Sequence, residues 1–170
     1  MTFNLFESII IISEFHEKES KMTVTFFGHS TVTDFTDIKE LLYQTVKNLI
    51  AGEDKVVFYL GGYGDFDNMA ARVCRELKSE HKQVEVVFVT PYLTPSQQKK
   101  IREMEECCLY DSSVYPPLEN IPPRLAIIKR NEWMADNADV ILAYVKYSHG
   151  GAFRALTYAQ RKGKKIINLA

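Results

Sequence analysis

The sequence predicts an α/β fold: a doubly wound, mostly parallel sheet with helices on both faces. Three observations predict it. Val56-Val57-Phe58-Tyr59-Leu60 and Val140-Ile141-Leu142-Ala143-Tyr144-Val145 are near-continuous apolar runs, as in strands buried on both faces. Segments with apolar residues at helical spacing alternate with such runs. Two of the runs also end in glycine turns that open helices, Gly61-Gly62-Tyr63-Gly64-Asp65-Phe66-Asp67 and Ser148-His149-Gly150-Gly151-Ala152.

Residues 23–27 alternate and stop at Gly28-His29, which makes them the first strand. Thr36 is placed to cap a helix reaching about residue 51, with Ile38, Leu41, Leu42, Thr45 and Leu49 at helical spacing and Gly52 at its end. Residues 55–60 are the second strand. The helix after the first glycine turn carries Met69, Ala70, Val73, Cys74 and Leu77 at inward positions and runs to about residue 80. Residues 84–90 are a third strand and 94–107 a charged surface helix, with Pro91 and Pro95 punctuating the connection. Leu109-Tyr110 reads as a short fourth strand. Residues 111–123 hold Pro116, Pro117, Pro122 and Pro123, so they are expected to be irregular and excluded from the sheet centre. A loop of that length in a compact domain is often functional. Residues 124–137 are helical and 139–145 a strand. Residues 151–162 are a helix whose Arg161 and Lys162 complement its C-terminal dipole, with Gly163 as cap. Residues 165–169 close the sheet. Right-handed crossovers make this a Rossmann-like fold, with the ligand expected at the carboxyl ends of the strands.

With 170 residues, 46% hydrophobic and 25% charged, the chain has the material for one domain with a full core. A net charge of −1 argues against a nucleic-acid partner, which calls for a basic excess or a strong basic patch. No run is long enough for a membrane span, so the expected partner is a small molecule; a homo-oligomer stays open. Cys74, Cys107 and Cys108 form no metal-ligand or disulfide pattern, and a reducing cytoplasm is the expected setting. No metal and no resident cofactor are expected. Residues 1–21 stand apart from the domain at 22–170. They read as an extension packing its apolar face on the domain, as a start assigned upstream of Met22, or as a membrane or partner helix. They are expected to be dispensable for folding.

The candidate ligand contacts are Gly28, His29 and Ser30 after the first strand, Gly61, Gly62, Tyr63, Gly64, Asp65 and Asp67 after the second, and His149, Gly150 and Gly151 after the fifth. Glycines at a strand-to-helix turn either supply positive φ or let a phosphate or ribose approach the backbone. Of Asp65 and Asp67, one is expected to cap the helix and the other to accept ribose hydroxyls or serve as acid or base. Side chains at Gly62 and Gly151 should both intrude on a ligand. Arg130 belongs either to a solvated helix face or to a phosphate or ribose contact. Tyr59, Tyr63, Tyr92, Tyr144 and Tyr147 fall near strand ends, where one or more could stack on a base.

Three segments together resemble the SLOG superfamily of Rossmann-like nucleotide-binding proteins, in particular its YpsA-like branch and more distantly LOG- and DprA-like proteins. They are Phe26-Phe27-Gly28-His29; the turn 61–67 with Ala70-Ala71; and Lys129-Arg130-Asn131-Glu132-Trp133-Met134 followed by Ala138-Asp139, Gly150-Gly151 and Gly163-Lys164-Lys165. The resemblance spans residues 23–169 and implies a pocket for a nucleotide or nucleotide derivative, held by a sensor or carrier. It also implies an alternative, N-glycosidic hydrolysis as in LOG phosphoribohydrolases, with Arg130 on phosphate and Asp65 or Asp67 as the carboxylate. Two departures bear on this. The LOG glutamate position falls at Thr157, and Ser30 stands where YpsA-like relatives commonly have arginine.

Overall fold

A computed structural model describes residues 21–170; the expectations for the N-terminal extension lie outside these residues, except for Lys21. The sheet has six parallel strands: β1 (Lys21–Gly28), β2 (Lys55–Leu60), β3 (Val84–Val89), β4 (Ser112–Val114), β5 (Val140–Tyr144) and β6 (Lys165–Asn168). The helices are α1 (Phe35–Ile50), α2 (Asp65–Glu80), α3 (Pro95–Glu106), α4 (Ala126–Asp136) and α5 (Gly150–Arg161). Strand order is β4-β3-β2-β1-β5-β6. The chain winds outward from β1 through β4, then returns to place β5 on the other side of β1. Val24 lies beside both Phe58 and Val140. The loops after β1 and β5 therefore diverge to opposite faces and leave a crevice between them.

Strand alternation sorts the core into two layers. Val24, Phe26, Phe58, Leu60, Val86 and Leu142 pack against Leu42 and Val46 of α1, Met69, Val73 and Leu77 of α2, and Ile101 of α3. Phe27, Val89 and Ile141 face the other way, onto Met134 and Ala135 of α4 and Ala155 and Ala159 of α5. The second layer is small and alanine-rich, which brings α4 and α5 close to the sheet.

Three local expectations are corrected. Helix α1 starts at Phe35 after Asp34, so Thr36 lies inside it and is not its cap. The fourth strand is Ser112–Val114; Leu109 and Tyr110 precede it. Tyr110 is instead drawn under the sheet edge, its ring 5.1 Å from that of Phe88. Asp111 then secures the edge, its backbone N–H donating to Val86 O at 2.8 Å and its Oδ2 accepting from Val86 N at 2.7 Å. The proline-rich segment runs along this edge with Pro116 and Leu118 buried. None of residues 111–123 lines the cleft described next.

Candidate functional site

A cleft of about 410 Å³ opens at the crevice between β1 and β5. Four walls form it: the β1 loop (Gly28, His29, Ser30), the β2 turn (Gly61, Tyr63, Asp67), the start of α5 (His149, Gly150, Gly151) and one face of α4 (Arg130, Asn131, Met134). Gly62, Gly64 and Asp65, grouped with these by sequence, do not line it.

Arg130 forms the floor. It is 2% exposed, which rules out the solvated-face alternative. Its Nη1 donates to Gly61 O at 2.8 Å and Val89 O at 2.9 Å, crosslinking the ends of β2 and β3. Gly61 admits it: a Cβ there would lie 2.6 Å from Nη1. Nε is buried and has no hydrogen-bond partner among the described residues, and Cζ sits 5.2 Å from the centre of the Tyr63 ring. Burial pulls the guanidinium pKa down, and the Asp67 charge partly restores it. A buried guanidinium that donates to two neutral carbonyls has spare capacity for an anion.

Asp67 is 8% exposed, and its Oδ2 accepts from Tyr63 N at 2.8 Å. Burial pushes its pKa up to about 6, against the opposing pull of the Tyr63 N–H and the Arg130 charge. Asp65 has a different task. Its Oδ2 accepts from Val32 N at 3.2 Å and its backbone N–H donates to Ser30 O at 2.9 Å, tying the β1 loop to α2. Neither aspartate is the helix N-cap, which is Gly64.

His29 Nε2 accepts from Lys146 N at 2.9 Å and Tyr147 N at 3.2 Å. Two donors on Nε2 fix the neutral ring with its proton on Nδ1. Burial, with the charges of His149 and Lys146, lowers its pKa from the ordinary 6.5. His29 therefore joins the loops after β1 and β5, and its Nε2 is not free for a ligand. Its ring continues into Tyr147 at 5.0 Å, and Tyr147 into His149 at 5.7 Å, an aromatic wall at the cleft mouth. Tyr147 is 57% exposed and Tyr63 41%, whereas Tyr144 is buried against Phe66.

Helix α5 begins beside this wall with no side-chain cap on its first N–H groups. Among the described residues, and apart from chain neighbours and the backbone of α5 itself, nothing lies within 4 Å of a Cβ built on Gly150 or Gly151. An uncapped helix start with open space before it suits an anion. The two glycines expected to act alike do not. Gly62 has φ +71°, and a Cβ there would meet the Phe88 ring at 2.6 Å, away from the cleft. Gly151→Val should leave the fold intact and abolish ligand binding, whereas Gly62→Val should lower the melting temperature through backbone strain and overlap with Phe88. Circular dichroism melts beside calorimetric titration check both; unchanged affinity in a folded Gly151→Val protein would move the ligand off the α5 start.

The cleft also contains Thr31, Ile127, Asn131, Met134 and Tyr147, which were not among the sequence candidates as ligand contacts apart from the tyrosine. Positions 127, 130, 131 and 134 fall on one helical face, so the spacing around Arg130 already held the signal.

No protein-family model matches the chain. An uncharacterized SPbeta prophage-derived protein of Bacillus subtilis, YoqJ, is 28% identical over 140 residues, spanning 73% of this chain and 81% of that protein. DNA processing protein A from Streptococcus pneumoniae superposes with a TM-score of 0.60 and 13% identity, covering 86% of this chain and 50% of its own. DNA processing protein A from Helicobacter pylori, solved for its single-stranded DNA binding mode, gives 0.57 and 16%, covering 86% and 64%. This chain thus spans between half and two thirds of those two chains, and the likeness is one of Rossmann-like fold. The Helicobacter protein overturns the argument from net charge against a nucleic-acid partner. A whole-chain charge sums over all surfaces, while a strand is held by one local patch, so −1 does not exclude such a partner on this fold.

Proposed function

We propose that this chain binds a nucleotide unit, free or within a larger molecule, in the cleft between β1 and β5, and acts in the cytoplasm as a SLOG-type sensor or carrier. The observation that carries the reading is the Arg130 guanidinium, which lines the cleft, donates from Nη1 to two neutral carbonyls and leaves a buried Nε unpartnered among the described residues. The uncapped start of α5 supplies a second anion-favouring wall, and Tyr63 and Tyr147 supply exposed rings for a base. The two DNA processing protein A structures support a nucleotide unit as the ligand class by their shared fold.

A second reading has one observation in its favour. Asp67, with its pKa near 6, shares the cleft with Arg130, as a carboxyl acid or base for N-glycosidic hydrolysis would. Against it, Thr157 donates to Phe153 O at 2.8 Å within α5 and lines a separate groove. A threonine there replaces the carboxylate that LOG-type chemistry requires. Incubation with a panel of nucleoside monophosphates separates the two. The expected result is a thermal shift with no free base. Release of base above a buffer blank, lost in Arg130→Lys, would establish the hydrolase instead; neither shift nor product would remove both readings.

A further inference from the structure

Behind Tyr63 lies a second cavity, of about 300 Å³, between α2 and α3. Tyr63 lines both cavities and separates them. The second is lined by three cations: Arg72 and Arg75, one turn apart on α2, and Lys100 on α3. Among the described residues none of the three has an ion-pair partner. The acidic side chains of the same region are engaged elsewhere: Glu76 with Lys39 at 3.3 Å, Glu103 with Lys99 at 3.9 Å, and Asp111 with Lys78.

The floor of this cavity is formed by Phe88 and Tyr110. Tyr110 is 8% exposed as a whole, but its hydroxyl, without a hydrogen-bond partner among the described residues, is not closed off from solvent. A phenol hydroxyl open to a cavity lined by three cations without ion-pair partners among the described residues can donate to an anionic acceptor there. The cations supply the charge complement and the hydroxyl the orientation. This combination suits a phosphate oxygen better than a neutral ligand.

We infer that the α2–α3 cavity is a phosphate subsite, and that it takes a second phosphate of a ligand whose nucleoside lies against Tyr63. This rests on the proposal that the cleft holds a nucleotide. The ligand class is narrowed from mononucleotides to molecules with phosphates on both sides of one nucleoside. A nucleoside bisphosphate and an internal residue of a strand share that chemistry.

The test uses the full chain and three probes: adenosine 5′-monophosphate, adenosine 3′,5′-bisphosphate and inorganic phosphate. An eight-residue oligothymidylate distinguishes a strand from the free bisphosphate. Calorimetry should give at least about tenfold tighter binding of the bisphosphate than of the monophosphate, about 1.4 kcal/mol. The double variant Arg72→Glu/Lys100→Glu, at two exposed helix positions, should erase that difference and leave monophosphate affinity unchanged. Equal affinities in the wild type, or equal losses for both nucleotides in the variant, would overturn the inference. If no nucleotide binds, the cleft reading fails and the phosphate arm decides the subsite alone. Stabilisation by phosphate over chloride at matched ionic strength, lost in the double variant, then supports it; no stabilisation overturns it. Tighter binding of the oligothymidylate than of the bisphosphate, sensitive to the same substitutions, would identify the source as a strand.

Discussion

Replacing Arg130 by alanine is expected to destabilise the domain by about 3–4 kcal/mol and to eliminate anion binding. The side chain is buried, and its Nη1 is shared by Gly61 O and Val89 O. Truncation leaves both carbonyls unpaired and opens a void at the ends of β2 and β3. It also leaves Asp67 without the positive charge that holds its pKa down. For a domain of this size the melting temperature should fall by roughly 10 °C. Arg130→Met restores most of the volume without the donors. It should recover part of the stability and none of the binding. A full recovery of stability by Met would show that the two carbonyl bonds contribute little. Retained nucleotide affinity in a folded Arg130→Met protein would remove the residue from the site.

The second large effect has the opposite sign. Asp67→Asn should stabilise the protein at pH 8 by up to about 3 kcal/mol. The Asp67 pKa rises from 3.8 to about 6 on folding, so the native state prefers the protonated form. Its contribution is fully present below the unfolded value and is lost as pH rises through 6. At pH 8 the wild type therefore carries the cost of an ionised buried carboxyl, which the amide avoids. The asparagine carbonyl can still accept the Tyr63 N–H. Urea denaturation at pH 8 and pH 4 checks this: a large gain at the first pH, with most of it gone at the second. A loss at pH 8, or the same difference at both pH values, would contradict it. Because the carboxylate also repels a phosphate in the same cleft, the variant should bind anions more tightly at pH 8, and wild-type affinity should rise as pH falls from 8 to 5. A protein that is more stable and tighter-binding without this residue keeps it at a cost, as functional side chains often are.

The fold was legible because its signals are local. An apolar run, a glycine turn and a 3.6-residue period each lie within a dozen residues, and right-handed crossovers make the sheet doubly wound. The misplacement of the fourth strand has a physical cause. Leu109-Tyr110 has strand-like composition, but Tyr110 finds a better burial site against Phe88 than a ladder position would offer. The sequence grouped the ends of β1, β2 and β5, which border one cleft, although Gly62, Gly64 and Asp65 lie off it. It could not assign tasks, because those depend on partners far along the chain. Arg130 is fixed by carbonyls 69 and 41 residues away. His29 is committed to backbone donors 117 and 118 positions later. Asp65 and Asp67 look equivalent on paper. On a helix they point in different directions, so one reaches the β1 loop and the other lines the cleft. Gly62 and Gly151 likewise look equivalent until their φ angles and neighbours are known.

The two ties on the β1 loop act together. Asp65 holds residues 30–32 to α2, and His29 holds the same loop to residues 146–147 ahead of α5. Three of the four walls of the cleft are therefore one frame before any ligand arrives. A guest entering such a frame leaves little backbone freedom to be surrendered, so the entropy lost on association falls mainly on the guest. The same stiffness works as a selector. A frame that cannot relax around a misfitting shape rejects it, and discrimination among related nucleotides would come from fixed dimensions rather than from loop closure.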